Sequence, residues 1–333
     1  MAKLGRSDDE IQLVKRVARA LSSRTGTQLR LGIGDDAAIL KPRAEAEWVV
    51  SCDGFYEKVH FKLDLHPPES VGYKSLARAT SDLAAMGAKP RFFLLTLALP
   101  AACTWVWLDR FLRGMARAAH AFGLVLAGGD TAKHSTVAIS ITVIGEVAPG
   151  RAVTRAGARP GDRICVSGTL GRAELGLGLV LRGLAKDPRW QRLLQPQLWP
   201  QPRIALGRWL ARRGLASSMI DLSDGLSTDL AHICEASGVG ACVNTERIPA
   251  VSVPPALRHR RFDPLTLALH GGEDYELLFT VPPKREHELR ASPKGLRLKR
   301  IGEITKVRVV ILEDSSGRKR RLEPRGWDHF RNH

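Results

Sequence analysis

Long apolar runs are missing from this 333-residue sequence: the longest, around "FFLLTLALP", falls well short of the ~20 residues a membrane-spanning helix needs. The N-terminal "MAKLGRSDDE" lacks the apolar core of a secretory signal, so a cytoplasmic protein is expected. Cysteine is scarce too. Cys52, Cys103, Cys165, Cys234 and Cys242 are scattered, odd in number and never spaced C-x-x-C, which argues for reduced thiols against a disulfide framework or a zinc site. There is no G-x-x-x-x-G-K-[ST] phosphate loop, no G-x-S-x-G nucleophile elbow and no kinase H-R-D or D-F-G set. Negative charge is the last shortage: 34 Asp and Glu against 51 Lys and Arg leave a net +17. The run Arg318-Lys319-Arg320-Arg321 raises nucleic-acid binding, but no DNA- or RNA-binding motif accompanies it. It follows "VRVVILEDSSG", just past an expected hairpin turn, and a solvated basic surface attractive to anionic metabolites is the favoured reading.

What the chain has is enough apolar content, 44%, for two sizeable cores. Ser7 and Glu10 form a capping-box pattern before "IQLVKRVARALSS", whose apolar residues share one helical face. "EWVVSCDGF" reads as a strand running into a turn, "PPESVGYKSLARATSDLAAMGA" as a helix, "RFFLLTLALP" as a buried strand and "WVWLDRFLRGMARAAHAFG" as a helix closed by Gly123. "LVLA" and "VAISITVIGEV" read as strands on either side of a loop "GGDTAKHS". The stretch 148–162, rich in Gly, Pro and Arg, marks a domain boundary. After it come strand "RICVSG", a helix from Arg172, strand "SSMIDLSDG", helix "STDLAHICEAS" and strand "GACVN". The expected fold class is mixed α/β, with domains at 1–149 and 150–333.

The acidic residues of this basic chain are grouped. "GIGDDA", "SCDGF", "SDLAAMG", "GGDT", "IDLSDG" and "GGEDYE" each set a carboxylate beside glycines, small residues or a strand end. Any one of them reads as a cap or an Asx turn. Together they point to a ligand edge, because four follow an apolar, strand-like segment. Gly32, Gly34 and Ala37 mimic a dinucleotide-binding turn, yet Asp35 and Asp36 stand where a pyrophosphate would approach. Two carboxylates 4 Å apart cost about 4 kcal/mol at an effective dielectric near 20. Converging aspartates therefore need protons or cations, and an all-oxygen set without His or Cys suits Mg²⁺, which completes its shell with substrate phosphates.

"GIGDDAAIL", "SCDGFYEKVHF", "SDLAAMGAKP", "GGDT", "IDLSDGLSTDL", "GGEDYELLFT" and "GWDHF" follow one another as in the thiamine-monophosphate kinase family, which this chain resembles over essentially its whole length. The resemblance implies an N-terminal domain that dimerises through a shared β-barrel and a C-terminal α/β domain. It also implies ATP in the cleft between the two, bound through several Mg²⁺ ions. By the same resemblance Asp36, Ser51, Asp53, Asp82, Asp130, Asp221 and Asp224 are metal ligands, with Asp35 assisting. Gly129, Asp130, Arg155 and Ser223 match ATP contacts, and His60, Glu273 and Trp327 match thiamine-phosphate contacts. On residue type alone, His60 reads equally as a surface residue beside Phe61, and Trp327 as a packing anchor. Cys52 departs from the family's usual hydroxyl residue, and a thiol is a poor Mg²⁺ ligand. Ala132 replaces a common second Thr.

The implied activity is ATP-dependent phosphorylation of thiamine monophosphate by direct in-line transfer, in a cytoplasmic homodimer without membrane or nucleic-acid partners. The acceptor is already an anion, so no general acid or base is nominated. Two alternatives stand beside it at this point: an ATP-using relative that activates an amide or formyl oxygen, and a basic nucleic-acid-binding protein. The second leaves the Asp-rich motifs unexplained.

Overall fold

The computed structural model describes residues 9–21, 28–33, 37–260, 262–293 and 295–327. They fall into two compact units, one within 1–83 and 88–150, the other within 84–87 and 151–333. Among the described residues no helix is long and apolar enough to cross a membrane.

In the first unit α1 (Asp9–Leu21) leads to the short pair β1 (Leu29–Leu31) and β2 (Ile39–Leu40). Then follow β3 (Glu47–Tyr56), α2 (Pro68–Ala85), β4 (Lys89–Leu99), α3 (Trp105–Phe122), β5 (Val125–Lys133) and β6 (Ala138–Val147). Four of these strands make a sheet in the order β3-β6-β4-β5, with β6 antiparallel to both neighbours and β5 parallel to β4. Alternation along β4 buries Phe93, Leu95 and Leu97 and leaves Leu94 and Thr96 exposed. Burying each such Leu or Phe contributes about 1.5–3 kcal/mol, which fixes the face that turns inward. Cross-strand register puts Leu94 opposite Thr142 and Thr142 opposite Cys52, so Leu94 shares a face with Cys52, Trp48, Val50 and Tyr56. That face exposes Trp48, Val50, Tyr56 and Leu94. The opposite face of β3 meets α2. Arg16 anchors α1 to α3 through both oxygens of Asp109 at 2.7 Å and lies 4.6 Å from the centre of the Trp105 ring.

"GGDTAK" is not a loop. It continues β5, paired with β4 from Phe92–Val125 to Leu99–Lys133. A Cβ on Gly129 would come within 2.0 Å of the Leu95 carbonyl oxygen, so glycine is what lets the two backbones approach. Asp53 likewise lies inside β3 rather than beyond its end.

The second unit runs β7 (Arg163–Ser167), α4 (Arg172–Leu181), α5 (Gln191–Leu198), α6 (Ile204–Arg213), β8 (Ser218–Asp221), α7 (Leu226–Ser237), β9 (Gly240–Asn244) and α8 (Pro264–His270). It ends with β10 (Leu277–Val281), β11 (Leu298–Thr305), β12 (Val310–Glu313) and β13 (Lys319–Arg321). The sheet order is β13-β12-β9-β11-β7-β10-β8; only the β12–β9 pair is parallel. Strands β7, β8 and β10 are buried on both sides, because both faces are covered there. Ile164, Val166, Ile220 and Leu278 pack with Leu230 and Ile233 of α7. Their neighbours Cys165, Met219, Leu277 and Phe279 pack with Leu206 and Leu210 of α6. Near-continuous apolar strands between two helical layers are what such coverage requires.

Candidate active site

The sites predicted from the sequence fall into a group on each unit. On the first, strand alternation aims Ser51, Asp53 and Phe55 at α2, where Arg78 and Asp82 stand one turn apart. Arg78 grips Asp53 with two hydrogen bonds of 2.9 and 3.1 Å, and its guanidinium carbon sits 5.5 Å from the centre of the Phe55 ring. Ser51 Oγ donates to Asp82 Oδ2. Ser51 and Asp82 thus come together, while Asp53 is held by an arginine. Cys52 points to the open face, where its Sγ lies 3.5 Å from Ser140 Oγ.

Asp130 is on the other face of the sheet from Asp53. It pairs in register with Thr96, whose partner on β6 is Ser140, and Ser140 in turn faces Gly54. Gly129 and Asp130 line a cavity of about 630 Å³ together with Ile33, Ala37, Leu94 and Val17. Gly34, Asp35 and Asp36 lie outside the described residues, as does Ser7. Their immediate neighbours Ile33 and Ala37 border the same cavity as Asp130. His60 closes the turn after β3, its Nδ1 accepting the Tyr56 N–H at 3.0 Å.

On the second unit the geometry is tighter. Asp221 ends β8 and is buried, and the chain turns through Ser223 and Asp224 into α7. Asp229, also buried, accepts the N–H groups of Asp224 (3.2 Å) and Gly225 (3.0 Å). Burial first, then the charges of Asp221 and Asp224, hold its carboxyl well above the usual carboxylate range. Carboxylates that disfavour one another's charge are the kind of oxygen set a hard divalent cation relieves. Among the described residues, however, no three His, Cys, Asp or Glu side chains form a ready cation cage. Arg155 is exposed at the start of this unit, its carbonyl accepting from Ser237 Oγ at 3.2 Å.

The segment Gly271–Glu276 is laced to the Asp-bearing turn through its backbone. Glu273 N–H donates to Ser223 O at 2.8 Å, Tyr275 N–H to Leu222 O at 2.9 Å and Leu222 N–H to Glu276 O at 2.8 Å. Glu273 and Tyr275 take φ values of 66° and 49°, a left-handed conformation that non-glycine residues avoid. The strain is held by anchors on three sides. Asp274 accepts the N–H groups of Gly171 (2.5 Å) and Ala173 (3.0 Å) at the start of α4, and burial raises its pKa to about 7. Glu276 is clamped by Arg203, whose Nε lies 2.6 Å from Oε2, and by Ser167 Oγ at 2.5 Å. Gln197 of α5 donates to Glu273 Oε2 at 3.0 Å.

The segment 325–327 is strapped to the same place. Arg325 N–H donates to Ser227 Oγ (3.3 Å), Gly326 N–H to Thr228 Oγ1 (3.0 Å) and Trp327 N–H to Asp224 O (3.1 Å). A Cβ on Gly326 would fall 2.0 Å from Asp224 O, which explains the glycine before the tryptophan. Trp327 itself is 40% exposed. Residues 328–330 of "GWDHF" lie outside the described residues. Asp229, Gln197, Arg203 and Asp274 were not singled out from the sequence. An acidic residue in the first turn after "SDG" was the available signal for Asp229; the others are recognisable only once burial is known.

Two family models account for most of the chain: AIR synthase related protein, N-terminal domain, over residues 34–147, and its C-terminal domain over 159–315. The thiamine-monophosphate kinase of Escherichia coli K12 is 38% identical over 331 residues, covering 96% of this chain and 98% of its own. That of Bacillus subtilis 168 is 34% identical, covering 97% and 100%. Among solved structures, the thiamine-monophosphate kinase of Stenotrophomonas maltophilia K279a superposes with a TM-score of 0.80 at 36% identity, over 93% of this chain and 97% of that one. AaThiL complexed with AMPPCP and TMP superposes at 0.77 and 32% identity, over 96% and 97%. The chain belongs to the AIR synthase related family and, within it, to the thiamine-monophosphate kinases.

Proposed function

We propose that this chain is a kinase that transfers the γ-phosphoryl group of ATP to the phosphate of thiamine monophosphate, yielding thiamine diphosphate and ADP. Its relatives carry that name, and one was solved with AMPPCP and TMP together. The observation that carries the reading is the backbone lacing: Glu273 hydrogen-bonds to Ser223, and Trp327 to Asp224. Residues matched to the acceptor are thereby one hydrogen bond from residues matched to the donor and to its metal. In the reaction an acceptor phosphate oxygen forms the new bond to γ-phosphorus while the bond to the β–γ bridging oxygen breaks and ADP departs. The nucleophile is already ionised, so positioning and charge neutralisation are the protein's tasks.

In this reading Asp36, Ser51, Asp53, Asp82, Asp130, Asp221 and Asp224 hold Mg²⁺, Gly129, Asp130, Arg155 and Ser223 contact ATP, and His60, Glu273 and Trp327 contact thiamine phosphate. Mg²⁺ supplies the neutralisation that lets two polyanions meet. Residues 1–149 serve nucleotide, metal and dimer contacts, and 150–333 complete the substrate contacts. The open face bearing Trp48, Val50, Tyr56 and Leu94 supports a homodimer through a shared barrel, since a second sheet would cover it. An assay of ATP with thiamine monophosphate, following ADP release and thiamine diphosphate together, tests the reading. Turnover is expected to vanish with EDTA and return with Mg²⁺. ADP release without thiamine diphosphate would overturn the function, and full turnover in metal-free buffer would overturn the metal assignment.

A further inference from the structure

Gln197 is an uncommon residue to find in a core: its side chain is 1% exposed. Its amide nitrogen is spent on Glu273 Oε2 at 3.0 Å, but its carbonyl oxygen accepts from no group among the described residues. A buried acceptor without a donor is disfavoured, and native structures keep few of them. Its partner Glu273 is itself in the left-handed backbone region, at φ 66°. Two separate departures from the relaxed state, one in a side chain and one in a backbone, therefore meet in one pair of hydrogen-bonded residues, and such departures gather where a ligand repays them. The pair offers two acceptors side by side, a carboxylate and an amide carbonyl. Within thiamine monophosphate the group that answers two acceptors is the exocyclic amine of the aminopyrimidine, with its two N–H donors.

Resting on the functional reading above, in which Glu273 touches the thiamine moiety, we propose that Gln197 is a specificity-determining residue that reads this exocyclic amine. Its Oε1 accepts one N–H, while its Nε2 holds the Glu273 carboxylate in line for the ring. An analogue with an oxo group at that position would set oxygen against oxygen. Loss of one such hydrogen bond corresponds to about a tenfold change in binding.

The test compares kcat/KM for thiamine monophosphate with that for oxythiamine monophosphate, the 4′-oxo analogue, at saturating ATP and Mg²⁺. The wild-type chain is expected to favour the amine by at least about tenfold. Gln197→Met, similar in volume but without acceptor or donor, is expected to raise the KM for thiamine monophosphate about tenfold, to reduce the preference by a like factor and to leave the KM for ATP within about twofold. A Gln197→Met chain that loses the same factor on both phosphates would show a merely structural glutamine and overturn the proposal. A wild-type chain that phosphorylates thiamine monophosphate but treats both compounds alike overturns it without any variant. A wild-type chain that does not phosphorylate thiamine monophosphate at all overturns the functional reading first and this inference with it.

Discussion

Trp327 is the residue whose role the geometry sharpens most. It is 40% exposed, and its backbone N–H is tied to Asp224 O, so the ring is presented rather than packed away. A flat cationic thiazolium and an aminopyrimidine both suit an aromatic face. Stacking of bases on aromatic side chains is worth roughly 1–3 kcal/mol. Trp327→Ala is therefore expected to raise the KM for thiamine monophosphate by about ten- to a hundredfold, with the KM for ATP unchanged and much of the loss recovered in Trp327→Phe. A fall in Tm with both KM values unmoved would make Trp327 a packing anchor instead. Asp221 makes a second test. It is buried beside Asp229, so Asp221→Asn relieves repulsion in the metal-free chain while removing a proposed ligand. Expected are an equal or higher Tm without metal and a turnover lower by orders of magnitude; a lower Tm with normal turnover per folded molecule would mark the carboxylate as structural.

At the scale of elements, the anchor between the Gly271–Glu276 segment and α4 has its own pH signature. The Asp274 carboxyl is raised from an ordinary 3.8 to about 7, so the folded chain holds a proton that the unfolded chain has lost across that interval. Folding takes up a proton there, and the contribution of this group to stability declines as pH rises from about 4 to about 7. Asp274→Asn should flatten that decline; Tm curves for the two proteins that stay parallel from pH 4.5 to 7.5 would rule it out. Much of this element was legible beforehand. "IDLSDG" and "GGEDYE" named the two segments that the backbone laces together, and the β12–β13 turn was expected before the basic run. "GGDTAK" was misread as a loop, because its ladder partner β4 lies some thirty residues away and glycine normally signals a turn. Which way each acidic side chain of the first unit points was not legible either. Strand alternation separates Asp53 from Asp130, and an arginine four positions before Asp82 occupies Asp53. Gln197 and Arg203 carry no local sequence signal, and Asp274 was marked only as part of "GGEDYE"; their individual roles come from burial and partners, which depend on the whole chain.

For the molecule as a whole, net charge and substrate charge have opposite signs. A chain at +17 draws polyanions such as ATP toward it, and salt screens that attraction over about 10 Å at 0.1 M. The kcat/KM for ATP should fall as NaCl rises from 20 to 300 mM while kcat changes little; a flat profile would dissociate the basic surface from substrate capture. One stretch of that surface answers to a different demand. β13 is an outer strand of the seven-stranded sheet, and Lys319, Arg320 and Arg321 are all exposed on it. An outer strand has one row of unpaired backbone groups, ready to recruit a strand from another molecule, and three adjacent cations make that recruitment repulsive. The run read from the sequence as a solvated basic surface thus doubles as a guard against fibre-like association. Replacing all three with threonine should leave turnover intact while lowering the concentration at which the protein clouds on standing, and it is in the test tube's turbidity, not in its kinetics, that these charges would be missed.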